Sequence, residues 1–218
     1  MFRQVFDPDN LLWRMISRGV DFVGLSLFWL VLCFPVFTIG PATSALYYTA
    51  VKVFRQGDVT GFRTYWATFR ANLKKGCAAE LIIIPFALLF AAFYGIMDVQ
   101  KGQSAAGAVM FVAYWVALLV PAGTVCWLFP VLARFEMGLK DAFRTAFLLA
   151  LRHLPSTFVV VLLNMQMAIF MLEKVWPVVF VPVLCALLCS LFHERVFAKY
   201  LDREEKARLE GRDPDEEE

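Results

Sequence analysis

The chain reads as a succession of long apolar stretches punctuated by short charged ones. From Phe22 to Val51 no charged residue occurs, but Pro35 and the run Thr38-Ile39-Gly40-Pro41 interrupt the stretch. Gly76 to Met97 forms a second stretch, with Glu80 near its start, and Ala105 to Ala133 a third. Leu154 to Leu172 and Val175 to Phe192 follow, separated only by Glu173-Lys174. A spanning helix needs about 20 apolar residues, so each of these last four predicts one span. The first stretch is too long for one straight helix and short for two. A restart at Gly40-Pro41 suits the preference of proline for the first turn, and predicts two short spans, about Val20 to Pro35 and Pro41 to Phe54. The segment Asp7-Pro8-Asp9-Asn10 predicts a helix start ahead of the first span, with Asp7 as N-cap.

Two charged connections carry helical periodicity. Phe62, Tyr65, Trp66, Phe69 and Leu73 recur at i, i+3, i+4, i+7 and i+11, while Arg63, Arg70 and Lys74 occupy another face. Leu139, Phe143, Ala146 and Phe147 do the same beside Lys140 and Arg144. Both predict amphipathic elbows at a membrane interface, aromatic side inward and cations toward phosphate. The plainer reading is a basic connection that only fixes topology. The elbows superpose at an offset of 81 residues: of the 22 pairs from Thr43/Thr124 to Thr64/Thr145, six are identical, including Phe62-Arg63-Thr64 and Phe143-Arg144-Thr145. That predicts an internal repeat whose units run in parallel through the membrane.

Composition agrees: the 218 residues are 60% hydrophobic and 18% charged, with a mean hydropathy of +0.64, against about 45–50% and about 25% in soluble domains. The expected fold is therefore an all-α, polytopic transmembrane helical bundle of about six spans, in residues 1–197. Residues 198–218 form a charged tail; from Lys199 onward it holds five basic and nine acidic residues. Cytoplasmic loops hold the excess of Lys and Arg. With six spans and both termini inside, 19 of the 21 basic residues face the cytoplasm and only Lys101 and Lys174 lie outside. The first apolar run follows a long, acid-containing segment, so it is read as a retained span and not as a signal peptide. The net charge of +2 points to no nucleic acid, and the five cysteines lie in apolar stretches without a C-x-x-C pair, as small core residues do.

Trp29-Leu30 running into Phe34-Pro35, Thr38-x-Gly40-Pro41-Ala42, Ala45-Leu46-Tyr47-Tyr48 and Phe62-x6-Phe69-Arg70-x-Asn72-Leu73-Lys74 together carry a family signature. So do Ala133-Arg134-Phe135-Glu136 and Leu151-Arg152-His153-Leu154-Pro155. The chain resembles, from about Trp13 to Phe197, the YesL-like family of bacterial integral membrane proteins of unknown function. The resemblance implies no catalytic or binding residues. It implies gene neighbourhoods with carbohydrate uptake transporters and sugar-degrading enzymes, hence a bacterial plasma membrane setting.

Polar groups within spans are the default functional candidates. Glu80 is one, read either as a shallow partner of Lys74, Lys75 or a neighbouring helix, or as a contact for a substrate cation. Asn164 is another, read as an interhelical hydrogen bond or a ligand contact; Gln166 points to a different face. Thr38, Gly40 and Pro41 are candidates because a broken backbone at membrane depth must be satisfied by protein or water, against the plainer reading of an extracellular turn. His153 and His193 suit span ends as topological cations. No H-E-x-x-H, G-x-S-x-G or phosphate loop occurs, so no enzyme, metal or cofactor is expected. The expected function is that of a non-enzymatic accessory or regulatory partner of a carbohydrate transport system, docking through Phe62, Arg63, Trp66, Arg70, Lys74, Arg144 and Arg152. The alternative is a small-solute transporter or channel past Thr38, Gly40, Pro41, Glu80 and Asn164. The expected partners are the bilayer, carbohydrate transporter subunits and a second copy of the chain.

Overall fold

The computed structural model describes residues 11–55, 60–173 and 176–210. The expected start at Asp7 and Pro8, and Gly57 of the repeat, lie outside the described residues. The described residues are helical and contain no strand: α1 (Leu11–Cys33), α2 (Ile39–Ala50), α3 (Gly61–Gln100), α4 (Ala105–Arg134), α5 (Leu139–Arg152), α6 (Leu154–Glu173) and α7 (Val181–Glu210). A 3-10 turn at Val36–Thr38 precedes α2 and a π-helical turn at Val51–Arg55 extends it. Ser104 starts α4 as a true N-cap, its hydroxyl accepting from the Gly107 amide at 3.1 Å, which satisfies one of the four donors a helix start leaves open.

Among the described residues, four helices are long and apolar enough to cross a membrane: Gly61–Gln100, Ala105–Arg134, Leu154–Glu173 and the Val181–Tyr200 part of α7; Gly19–Cys33 of α1 is a shorter apolar helix. This is an integral membrane protein with an all-α helical bundle. Its outer surface fits a bilayer: Leu81, Phe86, Leu88, Val99, Val109, Val112 and Leu172 are all exposed, an arrangement that water would penalise and lipid tails accept.

The expected second span corresponds to α2, which differs from the others. At about 1.5 Å per residue its 12 residues are shorter than the hydrocarbon layer of about 30 Å, and protein encloses it. Gly40, Pro41, Ala42, Ser44, Ala45, Leu46, Tyr47, Thr49 and Ala50 are buried. It packs most heavily on α3, and also on α4, α1 and α7. Leu25, Trp29, Tyr65, Phe69 and Val183 close over it from three of these neighbours.

The first elbow is likewise not a separate element. Helix α3 runs unbroken from Gly61 through Pro85 to Gln100, about 60 Å by helical rise and twice the hydrocarbon thickness. Its basic first half is a direct continuation of the span. Tyr65 and Phe69 face the bundle, whereas Phe62 and Trp66 remain exposed, because α1 and α2 occupy only one side of the helix. The second elbow is the separate amphipathic helix α5, buried along Ala142, Ala146, Leu149 and Ala150. The tail boundary placed at 197/198 falls inside α7, which continues to Glu210.

Candidate functional site

The break between α1 and α2 is closed by one hydroxyl. The Thr38 side chain donates toward the carbonyls of Leu32 and Pro35, 2.6 Å from each, and the Thr38 and Ile39 amides bond to Pro35 and Val36. Carbonyls freed at the end of α1 are thereby satisfied within protein, as a backbone break requires. Thr38 is a staple here. Pro41 falls in the first turn of α2, where a missing N–H costs no helical bond.

Gly40 and Gly76 allow α2 and α3 to touch backbone to backbone. A Cβ on Gly76 would lie 2.7 Å from Pro41 Cδ and 2.8 Å from its nitrogen. On Gly40 it would lie 2.6 Å from the Phe129 ring of α4, and 3.0 Å from both the Gly76 carbonyl oxygen and Glu80 Oε2. The Glu80 carboxylate thus sits against the first turn of α2, in the notch left by the missing side chain. Glu80 is 8% exposed, and its Oε2 is buried without a hydrogen-bond partner. The expected pairing with Lys74 or Lys75 is not made. Lys75 Nζ donates to the Met137 carbonyl at 2.8 Å, and the ion pairs among the described residues are Lys101–Asp98 and Arg134–Glu194. The Coulomb gain of a near-surface pair is small, and a carbonyl in the connection between α4 and α5 competes for the ammonium.

Gly40, Pro41 and Glu80 therefore come together, with Thr38 adjoining them; Asn164 stands apart. Its Nδ2 donates to the Val160 carbonyl at 2.8 Å and to Cys189 Sγ at 3.5 Å on α7, the interhelical bond that was one of its two readings.

A second buried polar cluster was missed by the sequence reading. His193 is 1% exposed, with neither ring nitrogen hydrogen-bonded. Trp127 meets it edge-on at 4.4 Å, with Tyr47 and Phe197 around it. Beside it, Tyr47 Oη donates to Glu194 Oε1 at 3.1 Å, and Arg134 lies 3.4 Å from Glu194 Oε2. Arg55 reaches the Ser190 carbonyl at 3.0 Å. The expectation that His193 is an end-of-span cation does not hold: it lies inside the core. The signal was available, since Cys185, Cys189, His193 and Phe197 recur every four residues and form one buried stripe. His153, between α5 and α6, is half-buried; burial, then Lys199 and Arg152, hold its imidazole below the ordinary value of 6.5. Among the described residues no three His, Cys, Asp or Glu side chains come together as a metal site would need.

The docking candidates divide into ring contacts and free cations. Phe62 fits the notch at Gly24 and meets Phe28 edge-on. Trp66 stacks on Phe69 at 5.6 Å, and the Arg70 guanidinium lies 4.9 Å over its ring. Arg63, Lys74, Arg144 and Arg152 are exposed.

Residues 22–99, which hold the α1–α2 break and the Glu80 notch, match the family model described as a protein of unknown function, DUF624. YesL-like families carry DUF624, so the resemblance read from the sequence holds over this stretch. No curated protein and no solved structure matches the chain. The match ends one residue before the end of α3; α4 to α7 lie beyond it.

Proposed function

We propose that this membrane protein works without catalysis, as an accessory or regulatory partner of a carbohydrate transport system in the bacterial plasma membrane, with both termini in the cytoplasm. The observation that carries the reading is an exposed face on each of α3 and α5. Phe62, Trp66, Phe147, Leu148 and Leu151 are exposed there beside Arg63, Arg70, Arg144 and Arg152. Aromatic and arginine side chains that leave one surface together are enriched at protein interfaces. The gene company implied by the YesL-like resemblance supplies the partner class, and the one-sided distribution of Lys and Arg supplies the orientation. Affinity purification in mild detergent, with a photocrosslinker at position 66 or 148, is expected to capture a transporter subunit, and Trp66→Ala combined with Arg70→Ala to weaken the capture. A protein that purifies alone and crosslinks to no transporter subunit ends this reading.

A second reading, a small-solute transporter or channel, has one observation in its favour: Gly40, Pro41 and Glu80 meet at a backbone break in the core. It requires that liposomes containing the protein pass a solute and that Glu80→Gln alters the rate; absence of flux removes it.

A further inference from the structure

Among the described residues, Glu80 is the buried carboxylate without a protein partner, and its surroundings are selective about what can complete it. Facing it are Cys33 from α1, Gly40 and Pro41 from α2, Phe129 from α4, and Gly76 and Cys77 from its own helix. None of these is a cation. The positive end of α2 faces the carboxylate, but the Thr38 and Ile39 amides are bonded to Pro35 and Val36 and Pro41 has none. Glu80 Oε2 accepts no hydrogen bond, so the helix offers it field alone. An ionised carboxylate removed from water without a counter-charge costs several kcal/mol, so the native fold needs a positive charge from outside the chain.

Two hard oxygen donors define that charge. Glu80 Oε2 and the Gly76 carbonyl oxygen approach the side-chain-free face of Gly40, each within 3.0 Å of the point where a Cβ would stand, and Phe129 closes the same point from 2.6 Å. Oxygen donors select alkali, alkaline-earth or hydrogen ions over the softer transition metals, and one carboxylate balances one unit of charge.

We propose that Glu80, with the Gly76 carbonyl at the first turn of α2, is a binding site for one monovalent cation, an alkali ion or a proton, whose occupancy holds α2 against α3. The site stands whether or not the protein conducts a solute, and whether or not a transporter docks on its surface.

The test is the thermal unfolding of the full chain in detergent, measured in NaCl, KCl or choline chloride of equal ionic strength and across pH, for wild type and Glu80→Gln. A ligand that binds only the native state stabilises it by mass action: at a free concentration about ten times its Kd, the folded-to-unfolded ratio rises about elevenfold. An alkali ion raises the wild-type midpoint over choline, and Glu80→Gln loses that rise. A proton instead raises the wild-type midpoint on acidification, and Glu80→Gln loses that slope while Na+ and K+ do nothing. Identical responses of wild type and Glu80→Gln to all three variables overturn the site. Should Glu80→Gln not fold, Glu80→Asp takes its place, because it withdraws the carboxylate from the notch by one methylene. It must need a higher ion or proton concentration for its half-maximal shift, and an unchanged requirement overturns the proposal equally.

Discussion

Gly76→Ala should separate α2 from α3, and the structure contains its own control. The added Cβ meets Pro41 Cδ at 2.7 Å, its nitrogen at 2.8 Å and its Cβ at 2.9 Å. Ordinary carbon contacts lie at about 3.5–4.0 Å, so the helices must part by roughly 1 Å. The obstacle is a proline ring and backbone, which no rotamer change relieves. Overpacking of this kind costs about 1–3 kcal/mol, toward the upper end for a rigid neighbour, against about 1 kcal/mol that alanine gains over glycine inside a helix. The net loss is about 2 kcal/mol, or ~4–8 °C in melting temperature for a chain of this size. Gly95 lies in the same helix with nothing within 4 Å of its Cβ position, so Gly95→Ala keeps the helical gain alone and should melt ~2–4 °C above wild type. Fluorescence-detected size exclusion of detergent-solubilised protein after heating reads both. A Gly76→Ala protein at least as stable as Gly95→Ala would refute the close crossing, and with it the notch that receives Glu80.

Three further outcomes follow from the geometry. Trp127 Nε1 donates to Thr157 Oγ1 at 3.0 Å, and that hydroxyl donates on to the Ala150 carbonyl at 3.0 Å; Thr157→Val leaves both buried groups unpaired and should cost about 1–3 kcal/mol, whereas Thr157→Ser should restore most of the melting temperature. Arg134→Met removes the cation beside Glu194 while Tyr47 still donates to it, so it should lower the melting temperature, and Arg134→Met with Glu194→Leu should recover part of the loss. Because the folded state holds His153 below 6.5, the neutral ring is favoured on folding. Its contribution is full above pH 6.5 and is lost as pH falls through 6.5 toward the folded value, so His153→Asn should flatten the acidic limb of a stability-against-pH curve, and an unchanged limb would remove His153 as its source.

The spans were legible in the sequence because apolar length is their only requirement: Ala105–Ala133 coincides with α4 to within one residue, and Gly76–Met97 is the apolar second part of the longer α3. The break at Thr38-Ile39-Gly40-Pro41 was equally legible, since proline and glycine punctuate a helix through local sterics. Hydropathy could not show that α2 is enclosed by protein. Ala, Ser, Thr and Gly are compatible with lipid and core alike, and the choice was made by the close crossing of Gly40 in α2 with Gly76 in α3. Glu80 was visible as a charge in a span, but its partner depended on which face of α3 met α2, and the two nearest lysines in sequence turned out to point elsewhere. His193 was hidden by its neighbours: within His193-Glu194-Arg195 it reads as one of three surface charges, although the four-residue stripe from Cys185 places it in the core.

The contacts themselves supply evidence on the repeat. The two most heavily packed pairs are α2 with α3 and α4 with α5, which are the segments the 81-residue offset superposes. Carried further along the chain, the offset sets Ala42 on Gly123 and Gly76 on Thr157. In the first hairpin Gly76 lies against Pro41; in the second a Cβ on Gly123 would lie 2.3 Å from Thr157 Cγ2. Both units therefore cross tightly at corresponding positions, with the glycine on opposite partners, as expected when small residues let helices approach. They differ where chemistry is concerned. The counterpart of Gly40 is Pro121 and that of Glu80 is Val161, so the second unit keeps the crossing but has neither the notch nor the carboxylate. Helix α3 is unbroken through Asn72, whereas its counterpart is divided at His153 between α5 and α6. The DUF624 match, residues 22–99, falls on the unit that retains the acid, and this is the unit in which a functional substitution should be sought first.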